Sequence, residues 1–455
     1  MTQKSYGTCQ SIGEFYAGRS VFITGATGFL GKAYVEKLAY QCTEINKIYI
    51  LIRNKKGLSL EQRMQGYFDN PFFARLKEER PEAMSKIIPI LGDITSPNLG
   101  LKAENERTLI EKVSVVIHSA ASIKFNQTLM DAIQVNVEGT RKVLHLAKRM
   151  NNTCVFVYVS TAYSNINEKF IEEKPYPPPA SLEEAKKFAT RHYILGDDDK
   201  LITKFLKGYP NTYTFSKTLA ENVLAEDRGH LAVVIVRPSI ISASERDPVE
   251  GWIDNWSGAT SMITFTAKGW IHTLLARGDV VMDIIPLDYA VNLTIVAAAR
   301  IPKKPGLAVY HSCTSSTNPV TVQEIYNAIK EYNMKHNISN PFNVSLVITE
   351  HRSVFSIVTC LMQTTPAFLA DVWLRCKGKQ PKYVKQQSKV AQVSESFHFF
   401  TARSWQVCGE GARTLYSSLS PEDQRAFPCD PTLVHWRQYI LKYLAGIEKY
   451  LLKKI

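Results

Sequence analysis

Short apolar runs alternate with amphipathic stretches over the first 240 residues of the chain. The runs are rich in Val and Ile and show no polar alternation, which is typical of strands buried on both faces of a parallel sheet. The predicted strands are residues 21–25, 46–53, 86–94, 113–121, 154–162 and 231–241, and the predicted helices are 29–39, 128–150 and 213–227. The fold class is therefore α/β, a doubly wound parallel sheet with its ligand crevice at the carboxyl ends of the strands.

The first predicted strand runs into TGATGFLG, in which Gly25, Gly28 and Gly31 are spaced three apart. A tight turn into a helix presents unpaired backbone N–H groups, which attract anions. In a dinucleotide site, Gly25 makes the turn, Gly28 admits a phosphate and Gly31 lets the helix pack closely. The spacing is also compatible with an ordinary strand-to-helix turn.

The tips of the next strands indicate the type of cofactor. The second strand ends in IRNKKG, with Arg53, Lys55 and Lys56 and no acidic residue. An acid there would bind the ribose hydroxyl of NAD, whereas an arginine favours the 2′-phosphate of NADP, so we predict NADPH. The alternative is a solvated basic loop. Asp93, at the third tip, is placed to meet an adenine amino group.

The fourth strand ends in HSAA, whose small residues leave room for a cofactor across the strand tips. We interpret His118 in this motif as a hydrogen-bonded core histidine.

Candidate chemistry lies in YTFSK, which places Tyr213 and Lys217 on one helix face. A phenol has a pKa of about 10, and a neighbouring ammonium stabilises its phenolate. Ser160 and Thr161 end the fifth strand and supply a hydroxyl for a substrate carbonyl oxygen. We favour Thr161, because alternation along a strand points only one of the two at the ligand. Tyr213 is then the general acid.

Composition narrows the class of partner. The 455 residues are 45% hydrophobic and carry a net charge of +13, which suits nucleic acid, an anionic membrane or polyanionic small molecules, and equally simple solubility. Nucleic acid is not expected, since the chain has no zinc-finger, RNA-recognition or arginine-rich pattern. The eight cysteines form no C-x-x-C pair, which argues against a metal site or a disulfide framework.

The first 18 residues lack a signal-peptide core, which indicates that the catalytic part faces the cytosol.

The ordered motifs TGATGFLG, GDI, HSAAS, VNVEGT, VSTAY, YTFSK and VRPSII resemble the extended short-chain dehydrogenase/reductase superfamily over residues 20–330. The resemblance implies that Thr161, Tyr213 and Lys217 are the catalytic hydroxyl, acid and lysine, and that Asn136 supports the active-site backbone. The predicted cofactor-binding residues are Gly25, Thr27, Gly28, Phe29, Leu30, Gly31, Arg53, Asp93, Ile94, Ala120, Ala121, Lys217, Pro238 and Ser239.

Longer segments, among them IYILIRNKKG, YPNTYTFSKTLAE and VRPSIISASERDPVEGWIDN, resemble fatty acyl-CoA reductases. This resemblance implies NADPH-dependent reduction of a long acyl-CoA to the fatty alcohol, through a hemithioacetal that loses coenzyme A and an aldehyde that is reduced again. The alternatives are another extended reductase, acting on a sterol, flavonoid or nucleotide sugar, and a non-catalytic dinucleotide-binding scaffold. No pattern indicates an oligomeric state.

The segment between Thr161 and Tyr213 is longer than a strand-to-helix link needs, and we expect it to cover the crevice mouth. Lys186, Lys187 and Arg191 within it either meet coenzyme A phosphates or form a solvated helix face with neighbouring glutamates.

The α/β rhythm stops near residue 343, so we predict two domains, a reductase domain over 1–345 and a helical, membrane-associated domain over 346–455. Residues 353–374 hold a single charge and Pro366, and six basic residues follow. A proline-broken hairpin in the bilayer, an interfacial helix pair and a buried helix pair all remain open. Family resemblance implies membranes of the endoplasmic reticulum or peroxisome, with the catalytic domain facing the cytosol.

Overall fold

A computed structural model describes residues 10–196, 199–301, 305–336 and 346–452 of the chain. Its central feature is a seven-stranded sheet in the order β11-β7-β5-β4-β1-β2-β3. All neighbouring strands in this sheet run parallel. The strands are β1 Ser20–Thr24, β2 Lys47–Ile52, β3 Ile87–Leu91, β4 Val113–His118, β5 Val155–Val159, β6 Phe170–Ile171, β7 Val233–Pro238, β8 Ile240–Ser242, β9 Thr273–Leu275, β10 Ile284–Pro286, β11 Leu307–Ser312, β12 Val347–Thr349 and β13 Gln406–Val407.

Helices and loops connect the strands. The α-helices are α1 Ile12–Tyr16, α2 Phe29–Gln41, α3 Leu60–Phe68, α4 Ala74–Glu79, α5 Ala103–Lys112, α6 Leu129–Ala132, α7 Gly139–Lys148, α8 Leu182–Leu195, α9 Asp199–Phe205, α10 Thr212–Asp227, α11 Ala259–Ala267, α12 Leu287–Ala299, α13 Val322–Lys335, α14 Arg352–Thr359, α15 Thr365–Cys376, α16 Tyr383–Thr401, α17 Glu410–Ser417, α18 Pro421–Ala426 and α19 Trp436–Gly446. Short 3₁₀ segments are Pro71–Phe73, Pro81–Lys86, Pro97–Gly100, Ala162–Asn165 and Pro431–Leu433, and π-helical turns are Ile133–Glu138, Cys360–Thr364 and Ile447–Leu451.

The doubly wound parallel sheet predicted from the apolar runs is confirmed. Every residue of β1, β5 and β7 is buried, as expected for strands covered on both faces. The strand order reverses between β1 and β4, which places the switch point, where such folds bind ligands, beside the glycine turn. The edge strand β11 was not predicted, because its sequence mixes polar residues into the apolar pattern.

Helix α12 is hydrogen-bonded to α2 and to α1 through buried tyrosine hydroxyls. The Tyr34 hydroxyl of α2 and the Thr294 hydroxyl of α12 are hydrogen-bonded at 3.0 Å, and the Tyr16 hydroxyl donates to the Ile295 carbonyl of α12 at 3.0 Å. Both tyrosines are fully buried. Since α2 starts at the glycine turn, this packing fixes the direction of its N-terminus.

The chain forms two compact units that differ from the division predicted at residue 345. The sheet unit comprises Met1–Ser239, Leu287–Cys313 and Val407–Pro431, and the helical unit comprises Ile240–Pro286, Thr314–Gln406 and Thr432–Ile455. The sequence division followed the order of element types along the chain. Packing instead groups elements that are distant in sequence, so α12 and β11 belong to the sheet unit although residues on both sides of them do not.

In the helical unit, residues 352–376 form one helical run with a π turn at Cys360–Thr364. The predicted break at Pro366 is wrong for this structure. Pro366 lacks the backbone N–H that an α-helix would use, and the wider π turn just before it absorbs the irregularity without ending the helix. By length and composition, this 25-residue helix is the one helix in the described residues that could cross a membrane.

Candidate active site

The glycine turn brings the tips of β1 and β4 into close backbone contact. Gly25 has φ of +74°, and a Cβ atom there would lie 2.7 Å from the Ala120 amide nitrogen. A Cβ on Gly31 would overlap the Gly25 carbonyl oxygen, because α2 crosses directly over the turn. Gly28 caps α2 without any side-chain hydrogen bond. The exposed start of α2 therefore offers backbone N–H groups to an anion.

A chain of buried hydrogen bonds runs beneath the turn. The Thr24 hydroxyl accepts from the Ala120 amide at 3.2 Å and lies 2.6 Å from His118 Nδ1, while His118 Nε2 lies 3.0 Å from the Thr140 hydroxyl. The Thr140 hydroxyl donates to the Asn136 carbonyl at 2.6 Å. This direction requires the His118 tautomer with hydrogen on Nε2.

His118 is neutral in this chain of bonds, as expected for a core histidine. Burial, with the nearby Lys217 cation adding to it, lowers the pKa of His118 to about 3. The interpretation of His118 as a hydrogen-bonded core residue is confirmed.

Asn136 connects the loop after β4 to the start of α10. Its Oδ1 accepts from the Ser122 amide at 2.8 Å, and its Nδ2 donates to the Ser122 carbonyl and the Ser216 hydroxyl, both at 3.0 Å. The Ser216 hydroxyl in turn donates to the Tyr213 carbonyl at 2.8 Å. Asn136 lies in the π turn Ile133–Glu138. Its amide thus fixes the backbone of both segments that flank the predicted acid, in agreement with the role that the resemblance implies.

Thr161, Tyr213 and Lys217 come together where β5 ends. The Thr161 hydroxyl lies beside the Tyr213 phenol. Burial raises the pKa of Tyr213 to about 12, and the nearby Thr161 hydroxyl opposes part of that rise. The Tyr213 ring lies 6.0 Å from that of Phe125, measured between centroids. The phenol is therefore a protonated donor at neutral pH, with a hydroxyl beside it that can share the same acceptor oxygen.

Lys217 is 3% exposed and fixed from two sides. Its Nζ donates to the Val159 carbonyl at 2.6 Å and lies 4.2 Å above the centroid of the Tyr158 ring. Burial lowers the pKa of Lys217 to about 7, although the negative charge of Glu221 opposes this shift. Lys217 thus titrates near neutrality, where a change in its charge alters the stability of a Tyr213 phenolate.

Ser160 points away from this cluster. Its hydroxyl donates to Glu221 at 2.5 Å, and the same carboxylate oxygen accepts from Ser164 at 3.0 Å. Thr161 and Ser160 are neighbours on an extended strand end, and their side chains face opposite directions. The structure therefore places Thr161, and not Ser160, against Tyr213.

Glu221 lies one helical turn beyond Lys217 and forms a buried ion pair with Arg237. Arg237 is fully buried and donates through Nη2 to Glu221 at 2.6 Å and through Nε at 3.0 Å. Burial would raise the pKa of the Glu221 carboxyl, but the Arg237 charge and the serine hydroxyls outweigh it and hold the pKa below its usual range. Glu221 is a fixed negative charge behind Lys217.

The same network continues from β7 to β11. Arg237 Nη1 lies 3.1 Å from His311 Nε2, and His311 Nδ1 lies 2.5 Å from the Cys408 carbonyl, so His311 carries its hydrogen on Nδ1. Burial and the Arg237 cation lower the pKa of His311 to about 3. Two further carbonyls, of Glu172 and Lys174, accept from Arg237. The guanidinium therefore has a partner on every side.

Two arginines meet at the tip of β2. Arg53 is exposed, and Arg63 on α3 is half-buried. The pKa of the Arg63 guanidinium is lowered by partial burial and by the positive charge of Arg53. Arg63 Nη1 is buried without a hydrogen-bond partner among the described residues. A pair of cations with an unsatisfied donor is a suitable receptor for a phosphate dianion.

The remaining predicted cofactor residues lie at strand tips, in the glycine turn and at the start of α2. Asp93 Oδ1 accepts from the amide and hydroxyl of Thr95 at 2.9 and 2.8 Å, so this carboxylate shapes the loop after β3. Ile94 is buried beside it. Ser239 follows Pro238 at the end of β7, and its buried hydroxyl has no hydrogen-bond partner within the described ranges. Thr27 is exposed in the glycine turn, and Phe29 and Leu30 are half-buried at the start of α2.

Comparison with known proteins identifies the family. Residues 23–294 match the NAD-binding domain of the male sterility protein family, and residues 362–454 match its C-terminal domain. Fatty acyl-CoA reductase 1 of Xenopus laevis is 37% identical over 98% of this chain and 87% of its own length. The human fatty acyl-CoA reductase 1 is 36% identical with the same coverage. The chain belongs to the fatty acyl-CoA reductase family.

A solved structure supports the fold of this reductase independently. The terminal reductase domain of the myxalamid biosynthetic pathway superposes with a TM-score of 0.62 at 20% identity, covering 95% of this chain and 91% of that domain. The predicted family and the extended reductase fold are confirmed, and the chain carries a nicotinamide dinucleotide-binding domain.

The inserted segment of this reductase forms α8 and α9 between the 3₁₀ turn after β5 and α10. Lys186 pairs with Glu138 at 2.5 Å, and Lys187 pairs with Glu183 at 2.7 Å, one turn away on α8. The Lys187 contact agrees with the solvated-face alternative, whereas Lys186 pairs with a glutamate of the π turn Ile133–Glu138 and not with a neighbour on α8.

Sequence reasoning did not find Glu221, Arg237 or Arg63. Two signals were present in the sequence. Glu221 repeats the four-residue spacing that joins Tyr213 to Lys217, and Arg237 is a charge inside an otherwise apolar strand, which requires a buried counter-charge. Arg63 gave no such signal, because only the fold brings it near Arg53.

Proposed function

We propose that this chain reduces long-chain fatty acyl-CoA to the fatty alcohol with NADPH, releasing coenzyme A at the aldehyde level. The observation that carries the proposal is the cluster in which the Thr161 hydroxyl lies beside the Tyr213 phenol, with Lys217 one turn along α10. This cluster lies at the carboxyl end of the same parallel sheet as the glycine turn. Membership of the fatty acyl-CoA reductase family supports the substrate class.

NADPH, when bound, supplies one hydride for each of the two reductions. The glycine turn and the start of α2 would hold its diphosphate, and Arg53 and Arg63 would hold its 2′-phosphate. The fit rests on two features: an α2 N-terminus with no side-chain cap, and the unsatisfied Arg63 Nη1 beside a second cation. Pro238 and Ser239 would border its nicotinamide.

In this proposal Tyr213 and Thr161 bind the carbonyl oxygen of the substrate. Negative charge gathers on that oxygen as its carbon is reduced, and the two hydroxyls stabilise it. Tyr213 then donates its proton, and Lys217 stabilises the resulting phenolate. The thioester gives a hemithioacetal. As the hemithioacetal collapses to the aldehyde, its hydroxyl proton returns to the Tyr213 phenolate, and the thiolate of coenzyme A leaves and takes a proton from solvent. The same three residues serve the aldehyde, because its oxygen takes the same place.

The preference for NADPH is tested at Arg63. Replacing Arg63 with Met removes one charge-assisted contact to the 2′-phosphate, a loss of about 1.5–3 kcal/mol, or roughly a 10- to 150-fold weaker binding of NADPH. Binding of NADH is expected to change little. Lys77→Met, which removes a positive charge from an exposed site, is the control. Equal weakening of NADPH and NADH, or none, would contradict the assignment of Arg63.

We further propose that the helical unit contacts membrane lipid, with the catalytic residues on the cytosolic side of the endoplasmic reticulum or the peroxisome. The long apolar helix 352–376 and the basic residues after it support this association. Long acyl chains partition into bilayers, so an enzyme at the membrane surface meets its substrate there.

The proposed activity is tested by following deuterium from NADPH into the product. The purified chain is incubated with hexadecanoyl-CoA and NADPH deuterated at the transferred position, and the products are separated by gas chromatography and mass spectrometry. The proposal predicts hexadecanol with two deuterium atoms on its first carbon and free coenzyme A. Hexadecanoic acid without consumption of NADPH, or no turnover beside turnover of a sterol, flavonoid or nucleotide sugar, would refute it.

A further inference from the structure

The helix 352–376 turns large apolar side chains outward. Five of them are between 57 and 63% exposed: Ile357, Leu361, Phe368, Leu369 and Trp373. We call these five residues the lipid face. Exposed apolar residues that lie along a single helix mark an interaction surface and not random scatter.

The opposite side of the same helix is bonded to its own unit. Gln363 Oε1 accepts from the His272 amide at 2.6 Å. Asp371 accepts from three consecutive backbone amides at the start of α16, those of Lys382, Tyr383 and Val384, at 2.8 to 2.9 Å. Leaving the unit to cross a bilayer would strip these amides and bury an unpartnered carboxylate, at a cost of several kcal/mol.

Basic residues follow the lipid face. The exposed side chains are Arg375, Lys377, Lys379, Lys382, Lys385 and Lys389. Between residues 352 and 389 the one acidic residue in the sequence is Asp371, whose carboxylate is buried and engaged as described. The surface beside the lipid face therefore carries uncompensated positive charge, which attracts anionic phospholipid.

We propose that the lipid face lies flat on an anionic phospholipid bilayer, with its apolar side chains at the acyl boundary and the basic residues at the phosphates. The proposal rests on the membrane association given above and specifies its geometry: a helix in the plane of the surface and not across it. A second copy of the chain fits this face poorly, because a two-fold contact would bring two clusters of six cations together.

Vesicle flotation with the full chain tests the docking. We expect wild-type protein to float with vesicles of phosphatidylcholine and phosphatidylserine and to bind pure phosphatidylcholine at least tenfold more weakly. Leu361→Glu/Phe368→Glu should reduce binding to the anionic vesicles more than tenfold. The matched control, Met334→Glu/Leu433→Glu, changes two exposed apolar residues elsewhere in the same unit and should bind as wild type.

The depth of the helix is tested with brominated lipid. Trp373 fluorescence should be quenched by bromines near the headgroup more strongly than by bromines at the chain end, and Trp373→Phe should remove most of this difference. Alkaline carbonate should release the protein from the vesicles, because a helix lying on the surface is not retained as a spanning helix is.

Several results would overturn the proposal: equal flotation of wild type and Leu361→Glu/Phe368→Glu, no flotation of wild type, retention after carbonate, or a dimer that this double variant dissolves. Oxidation of NADPH by hexadecanoyl-CoA without vesicles is measured on the same samples. Absence of flotation of the wild type with oxidation intact contradicts the docking alone, whereas flotation of the wild type without oxidation contradicts the proposed reductase activity alone.

Discussion

Two helices of this protein reverse the usual rule about which residues lie inside. Helix α10 in the sheet unit buries Lys217 and Glu221, whereas helix 352–376 in the helical unit exposes Leu361 and Phe368. The buried charges of α10 have bonds to a carbonyl, two hydroxyls and a guanidinium. The exposed apolar residues keep more than half of their surface open to solvent. Whether a side chain of these two helices is buried therefore depends on the bonding partners around it and not on its polarity alone.

The comparison also separates two kinds of function. A buried charge needs fixed partners, so its pKa and its position are held for chemistry. An exposed apolar side chain costs little in the folded chain and gains its free energy only when an outside surface covers it. The predictions below test each half of this contrast.

Breaking the buried ion pair is expected to have the largest effect on stability. Glu221→Gln leaves the Arg237 guanidinium buried without its counter-charge, which costs about 3–5 kcal/mol of the free energy of unfolding. Chemical denaturation measures it. Glu183→Gln breaks the exposed pair with Lys187 and should change stability by less than about 1 kcal/mol. Equal effects of the two substitutions would contradict the buried network.

The two hydroxyls at the end of β5 are expected to act differently. Thr161→Val removes a donor to the substrate oxygen and should lower kcat by about 10²–10³-fold. Ser160→Ala removes a donor to Glu221 and should lower kcat less than tenfold, while reducing stability by about 1 kcal/mol. Steady-state kinetics on both variants measures kcat, and chemical denaturation measures their stability. The reverse order of the two kcat values would show that Ser160 is the hydroxyl that binds substrate.

The pH dependence follows from Lys217. Its pKa of about 7 lies below the ordinary lysine value, so its ammonium form is present below pH 7 and is lost as pH rises through 7. Tyr213, with a pKa near 12, and neutral His118, with a pKa near 3, do not titrate in that window. We expect kcat for reduction to fall above pH 7. In Lys217→Arg, which stays charged, this fall should disappear. A fall that persists unchanged in Lys217→Arg would contradict the assignment.

The smallest expected effect concerns the exposed helix. Phe368→Ser should change the free energy of unfolding by no more than about 0.5 kcal/mol, because more than half of this side chain is already exposed. Leu374→Ser, on the buried side of the same helix, should cost about 2–5 kcal/mol. Thermal or chemical denaturation without lipid measures both. A large loss for Phe368→Ser would mean that the ring is packed within the chain.

The extent to which sequence predicted this structure depended on how local the determinants were. The parallel sheet, the glycine turn and the pairing of Tyr213 with Lys217 follow from periodicity and spacing within short segments. The choice of Thr161 over Ser160 followed from strand alternation, and the side-chain positions agree with it. The division at residue 345 stays a prediction, and packing groups the chain into two units that are each discontinuous in sequence. A break at Pro366 did not match the structure, because a compensating π turn keeps the helix continuous.

The residues that bond to the candidate site could not be predicted from short segments, because the fold brings them from distant parts of the sequence. His311 joins Arg237 across 74 residues, and Arg63 on α3 lies near Arg53 only because of how α3 folds after β2. Hydrophobic pattern shows that a charge such as Arg237 is buried but not which residue satisfies it.

The most direct test of the central claim is the rate of hydride transfer in Tyr213→Phe. Single-turnover reduction of hexadecanoyl-CoA is followed by the loss of NADPH absorbance, with Tyr310→Phe as a control that removes a phenol elsewhere in the sheet unit. We predict a rate about 10²–10⁴-fold below wild type for Tyr213→Phe, with NADPH binding unchanged. A rate within twofold of wild type would show that Tyr213 is not the proton donor.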